Sequence, residues 1–164
     1  MKAIDKILEN IKNNKADLWG QCVQIQRLIN ANKIKRVFIN YSNEGFVANY
    51  IKYVKEKVCL NSIDDKHFKE FGGFDNCKYT NNNLENIKIR EYDLLHLDTT
   101  QQFKSWELFI ARMLRYNPKF IILSNTKLDT KKTNNIIKNI LKKHYHIDTT
   151  FEDYKGTIIL KYMS

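Results

Sequence analysis

The stretch YDLLHLDTTQQFKSWELFIARMLRYNPKFIILSNT, residues 92–126, decides how this chain folds. It opens with an apolar run, Asp93 to Leu97, short and rich enough in buried-type residues for a strand, with Tyr92 at its entry and an acid, Asp98, at its end. A helical pattern follows from Gln102 to Tyr116, apolar over much of its surface. The only proline, Pro118, then stops the helix, because proline cannot continue the backbone hydrogen-bond ladder. Lys119 to Leu123 is a second apolar run, and it ends in Ser124-Asn125. Strand, crossover helix, strand is a βαβ unit, which requires a parallel sheet. Ligands bind such sheets outside the carboxyl ends of the strands. Asp98 and Ser124-Asn125 are therefore expected side by side at a cleft.

The pattern continues in both directions. Asp17 to Lys33 has Leu18, Cys22, Ile25, Leu28 and Ile29 on one helical stripe, with Asp17 as a candidate N-cap. Lys35 to Asn40 reads as a first strand, and Phe46 to Lys55 as a helix. Val58 to Ile63 reads as a second strand. Lys66 to Asn83 is mostly loop, with a short helix near His67 to Phe71 and a short strand near Lys78-Tyr79. Thr130 to Lys143 is a helix with Ile136, Ile137, Ile140 and Leu141 as its apolar face. Tyr145 to Phe151 and Thr157 to Tyr162 read as strands, with Lys155-Gly156 at a hairpin turn. Residues 1–15 read as a short amphipathic helix. The class expected is α/β: a Rossmann-like, doubly wound, mostly parallel sheet with a C-terminal antiparallel β-hairpin.

Composition narrows the function. A hydrophobic fraction of 43%, with nine Phe and nine Tyr, is enough to build one core, so residues 1–164 read as a single domain. No run of about 18 apolar residues exists, so no membrane span is expected. Cys22, Cys59 and Cys77 lack CxxC spacing, which argues against a zinc site or a disulfide scaffold and for reduced thiols in the cytoplasm. No metal site is expected.

The net charge is +10. Of 28 basic residues only Arg27, Arg36, Arg90, Arg112 and Arg115 are arginines. A lysine-rich surface can hold nucleic acid by releasing counterions from phosphates. Lysine, asparagine and isoleucine are also what an AT-rich genome encodes by default, so the charge has a bland reading too. The basic amphipathic helix KKTNNIIKNILKKHYH carries the same two readings.

Two histidine arrangements stand out. His96 alternates with Asp98 onto one face of a strand, where the pair could support base chemistry, or where His96 is simply a buried, hydrogen-bonded core residue. His144 and His146 flank Tyr145 without a third ligand nearby and read as surface residues.

At the residue level the chain resembles a branch of the class I S-adenosylmethionine-dependent methyltransferases. In that branch the fourth strand reads roughly DLLFIDTxHTYxQ and the fifth YIIFHDT. This chain has DLLHLDTTQQFKS from Asp93 to Ser105 and FIILSNT from Phe120 to Thr126. The resemblance implies the methyltransferase fold, S-adenosylmethionine as cofactor and methyl transfer as the reaction. It places Asp98, Thr99 and Asn125 at the acceptor. It places Asn40, Tyr41, Ser42 and Gly45 in the cofactor loop, and Ser62, with Asp64 and Asp65 behind it, at the cofactor's ribose. Departures are numerous. The acid that ends the family's first strand is Asn40, the expected His and Tyr are Gln101 and Phe103, and His-Asp of the fifth strand is Ser124-Asn125. Each exchange removes a group that could take a proton or bind a metal. Three functions stay open at this stage: an active methyltransferase of unknown acceptor, a catalytically degenerate module that binds nucleic acid or a protein partner, and a pocket turned to another small ligand. An oligomer is compatible with all three.

Overall fold

The computed structural model describes residues 16–40, 54–60, 77–80, 91–100, 105–151 and 155–163. The chain divides into two compact units, Met1–Asn81 and Asn82–Ser164. The expected N-terminal helix 1–15, the short helix near His67 to Phe71 and most of the Phe46 to Lys55 helix lie outside the described residues.

The first unit opens with α1, Ala16–Asn32. Asp17, the candidate N-cap, lies within the helix. Ile25 and Ile29, one turn apart, are buried as the stripe requires. Lys33 ends the helix in the left-handed region (φ 53°), and the chain passes through buried Ile34 into β1, Arg36–Ile39. β2 spans Glu56–Leu60 and β3 spans Cys77–Thr80. The order is β3-β2-β1, all parallel, with Arg36 opposite Glu56 and Ile39 opposite Cys59. β2 thus starts earlier than its apolar run predicts. The backbone ladder begins at Lys55, whose N–H donates to the Lys35 carbonyl at 2.8 Å, and backbone pairing is indifferent to the charges of Glu56 and Lys57. Val54, expected in a helix, is buried in irregular chain just before this strand.

The second unit holds β4 (Leu94–Asp98), α2 (Trp106–Met113), a 3₁₀ turn (Leu114–Tyr116), β5 (Phe120–Ser124), α3 (Thr130–Leu141), β6 (Tyr145–Phe151) and β7 (Thr157–Tyr162). The order is β4-β5-β7-β6. β4 and β5 are parallel, whereas β7 is antiparallel to both of its neighbours. This is the Rossmann-like α/β class closed by an antiparallel hairpin. Every residue of β4 and β5 is buried, as the continuous apolar runs of a parallel sheet demand. Ile110, Met113, Ile136 and Ile140 of the helices are buried as well.

Local chemistry sets the ends of these elements. Ser105 caps α2, its Oγ accepting from Leu108 N–H at 3.2 Å, so the regular helix is shorter than its apolar pattern. Asn117 takes a left-handed conformation (φ 48°) ahead of Pro118 and stops the 3₁₀ turn. Asp129 caps α3 by accepting from Lys132 N–H at 3.0 Å. In the hairpin, Ile147 and Thr149 oppose the adjacent residues Leu160 and Ile159, so Asp148 is the extra residue of a β-bulge.

The base of the hairpin is fastened to the entry of β5. Buried Tyr145 donates its hydroxyl to the Pro118 carbonyl at 2.6 Å, and Tyr162 N–H donates to the Lys119 carbonyl. Burial, with Tyr162 beside it, pushes the Tyr145 phenol above its ordinary range, so it stays a neutral donor. Replacing Tyr145 by Phe leaves that carbonyl buried without its partner. The expected loss is about 1–2 kcal/mol of unfolding free energy, read as a lowered urea midpoint at unchanged slope.

Candidate functional site

The parallel ladder sets Leu97 opposite Leu123 and Asp98 opposite Ser124. The two strands therefore end side by side, and the residues that follow share one rim. Asp98 is only 3% exposed. Its Oδ1 accepts from the Thr100 N–H at 2.9 Å and from the Thr100 hydroxyl at 2.7 Å. This local bond turns the chain sharply at the end of β4, as an aspartate bonding its own backbone two residues on commonly does.

Thr99 works across the gap. Its N–H donates to the Ser124 carbonyl at 3.2 Å, and its hydroxyl lies 3.1 Å from that carbonyl and 3.2 Å from the carbonyl of Asn125. Ser124 returns a longer bond, from its hydroxyl to the Leu97 carbonyl at 3.4 Å. Thr99 is fully buried. What the threonine contributes is therefore a latch that holds the two tips together.

Beyond the latch, Asn125 adopts a left-handed conformation (φ 59°) that asparagine tolerates better than most residues. The loop then docks on the start of β7. Thr126 N–H donates to the Gly156 carbonyl, Lys127 N–H donates to the Lys155 carbonyl, and the Thr133 hydroxyl of α3 donates to the Thr126 carbonyl.

The structure thus gathers Asp98, Thr99 and Asn125 at one rim. Asn40, at the end of β1 in the first unit, is 1% exposed. Tyr41, Ser42, Gly45, Ser62, Asp64 and Asp65 lie outside the described residues, as do Gln101 and Phe103. Two contributors escaped the reading of the sequence: Thr100, which holds the Asp98 carboxylate, and Thr133, which anchors the loop after β5. The Asp-x-Thr spacing of the first was a readable signal. The second needed the fold.

His96, two residues before Asp98, is 2% exposed. It was expected to be hydrogen-bonded if buried, yet neither ring nitrogen has a partner among the described residues. Burial pushes its imidazole down to about 4, a fall that the nearby Asp98 charge partly offsets. His144 and His146 sit at the start of β6, the first exposed and the second half-buried. Among the described residues no group of three or more His, Cys, Asp or Glu is placed to hold a metal ion, and no helix is long and apolar enough to cross a membrane.

No family model and no curated protein sequence matches the chain. Solved structures do match. A Staphylococcus aureus protein assigned as a caffeoyl-CoA O-methyltransferase is 14% identical and superposes over 99% of this chain and 93% of its own, with a TM-score of 0.70. The N-methyltransferase NodS of Bradyrhizobium japonicum is 8% identical over 93% of this chain and 99% of its own, with a TM-score of 0.68. A Podospora anserina methyltransferase bound to S-adenosylhomocysteine is 13% identical over 88% of this chain and 78% of its own, with a TM-score of 0.61.

The fold is that of the class I methyltransferases.

At such identities the likeness speaks for architecture alone. Within the methyltransferase fold, the rim at Asp98 and Ser124 is the carboxyl edge of the parallel ladder, where this type of sheet offers its ligand site.

Proposed function

We propose that the protein is an S-adenosylmethionine-dependent methyltransferase. One observation carries the reading: in a methyltransferase fold, a buried carboxylate, Asp98, stands at the carboxyl tip of β4, held in one orientation by Thr100 and latched to the tip of β5 by Thr99. Fold neighbours that hold S-adenosylhomocysteine support the choice of cofactor.

In the first unit Asn40 follows β1 with a buried carboxamide, where the family resemblance expects an acid; in the second, Asp98 closes β4 with a buried carboxyl group. We assign cofactor contacts to Asn40, Tyr41, Ser42, Gly45, Ser62 and Asp64, and placement of the acceptor to Asp98 and Asn125, with Thr99 holding the rim that carries both. The cofactor supplies the methyl group on a sulfonium centre. The chain has to fix the acceptor atom in line and exclude water, and positioning of that kind supplies a large share of a displacement barrier without a dedicated base. The absence of His and Asp at positions 124 and 125 is compatible with that chemistry. Asp98, at the rim, is the group able to receive the acceptor's proton.

Calorimetry with S-adenosylmethionine and S-adenosylhomocysteine tests the proposal. Binding of both in the micromolar range is expected. Asp98→Asn is the informative variant, because it keeps an oxygen for Thr100 and removes only the charge. It should weaken cofactor binding or slow transfer at least tenfold, with a melting temperature close to that of the parent. Silence with both nucleosides at millimolar concentration would remove the enzyme reading and leave a methyltransferase-fold binding module.

A further inference from the structure

α3 has an exposed face that the methyltransferase reading leaves unexplained. Around a 3.6-residue turn, Thr133, Ile136, Ile137 and Ile140 fall on the buried side. Lys131, Asn135, Lys138 and Lys142 fall on the opposite side, within roughly 60° of one another. Lys131, Asn135, Lys138 and Lys142 are all exposed. Along the axis the three lysines extend roughly 16 Å.

Lysine is abundant in this chain, so a lysine on a surface helix means little by itself. The arrangement means more. From Thr130 to His146 there are five lysines and no acid. None of Lys131, Lys138 and Lys142 has a carboxylate three or four residues away, the spacing at which a soluble helix ordinarily pairs its charges. Lys138 and Lys142 are instead a like-charge pair one turn apart, which repels. Such a row is favourable ground for an external anion.

One end of the row opens on a groove of about 400 Å³, lined by Ser105, Trp106 and Glu107 from the start of α2 and by Lys131, Lys132, Asn135 and Asn139 among the residues of α3. Trp106 forms its aromatic wall and is held edge-on against Phe109, with ring centroids 6.0 Å apart. Its two acids, Glu107 and Asp129, offset its two lysines, Lys131 and Lys132, so the groove has no surplus positive charge for a phosphate. It suits a neutral, flat, hydrogen-bonding group.

We propose that this face binds single-stranded nucleic acid, the phosphates following Lys131, Lys138 and Lys142 and an unpaired base entering the groove against Trp106. A basic track beside an aromatic platform is how sequence-tolerant single-strand binders work, and the amides of Asn135 and Asn139 match the polar edge of a base. The inference does not depend on methyl transfer.

The test is fluorescence anisotropy with the full chain and a labelled 20-nucleotide single strand of mixed sequence. Three phosphate contacts predict that log affinity falls with log salt at a slope of about −2. The triple variant Lys131→Glu, Lys138→Glu, Lys142→Glu should weaken binding at least tenfold and flatten that slope. A charge-matched triple elsewhere, Lys33→Glu, Lys55→Glu, Lys155→Glu, should change it less than threefold. Trp106→Ala should weaken single-strand binding roughly fivefold or more while sparing what duplex binding there is. Circular dichroism establishes that each variant is folded, and Lys→Gln at the same three positions replaces the reversal if it is not. Equal losses in the two triples would overturn the proposal. So would a duplex bound as tightly as the single strand, or binding to anionic vesicles without binding to the oligonucleotide.

Discussion

Acidifying the protein from pH 7 to pH 4 should cost on the order of 3 kcal/mol of stability through one side chain, His96. Burial lowers its imidazole from 6.5 to about 4, with Asp98 opposing the shift. In the unfolded chain the same imidazole takes up a proton near pH 6.5. Between the two values the unfolded state binds more protons than the native state, so stability falls as pH falls. The penalty begins near pH 6.5, grows as pH drops and levels off below about 4. Neither ring nitrogen has a hydrogen-bond partner among the described residues, so the desolvation is opposed by the Asp98 charge and not by a hydrogen bond. Urea unfolding across pH 4–8 measures the effect when the parent is compared with His96→Leu, which suits a strand already holding Leu95 and Leu97. The parent should lose stability relative to the variant on the acid side, and the gap should be close to constant above pH 7. Parallel profiles for the two proteins would show that the imidazole is not the titrating group.

Gly156→Val should destabilise the protein by about 3 kcal/mol, and Gly156→Ala by about 2 kcal/mol. Two costs combine. The backbone at Gly156 is left-handed (φ 81°), a region that costs a side chain with a Cβ roughly 1–2 kcal/mol. A Cβ there would also collide with the Thr126 hydroxyl oxygen and come within 2.8 Å of Lys127 Cγ and 3.0 Å of Lys127 N. That loop is the one that follows the tip of β5, and it is bonded to the Gly156 carbonyl. The substitution therefore strikes the hairpin and the candidate rim together. The neighbouring Lys155 is exposed, and Lys155→Ala serves as the control, expected to fall within about 0.5 kcal/mol of the parent. Thermal or urea unfolding of the three variants reads out the difference.

Much of this architecture could be read from the chain because parallel strands buried on both faces leave uninterrupted apolar runs. Phe120–Leu123 is such a run and Leu94–Leu97 is one but for His96, and the polar residues closing them mark the rim. β6 and β7 were equally plain, since Gly156 punctuates them. β2 was legible only as to its existence, because Glu56 and Lys57 enter the ladder through their backbones and give no side-chain signal. α2 proved shorter than its apolar pattern because the Ser105 cap outweighs periodicity at its start and the tighter 3₁₀ turn replaces its end. The pairing of β7 between β5 and β6 is tertiary and left no trace in local sequence. At the rim, the meeting of Asp98 with Ser124 was foreseeable from strand lengths. That the buried ring of His96 has no hydrogen-bond partner among the described residues was not, since alternation tells which face a residue takes and nothing about what waits there.

The Thr99 latch has an evolutionary corollary. Its hydrogen bonds end on the main-chain oxygens of residues 124 and 125, which any amino acid supplies. The latch is consequently blind to the side chains at those two positions, although the left-handed turn at residue 125 still favours Asn, Asp or Gly there. Protonic groups can be gained or lost there while the scaffold keeps its outline, so Ser124 and Asn125 mark the natural places to graft a new reactivity onto this framework.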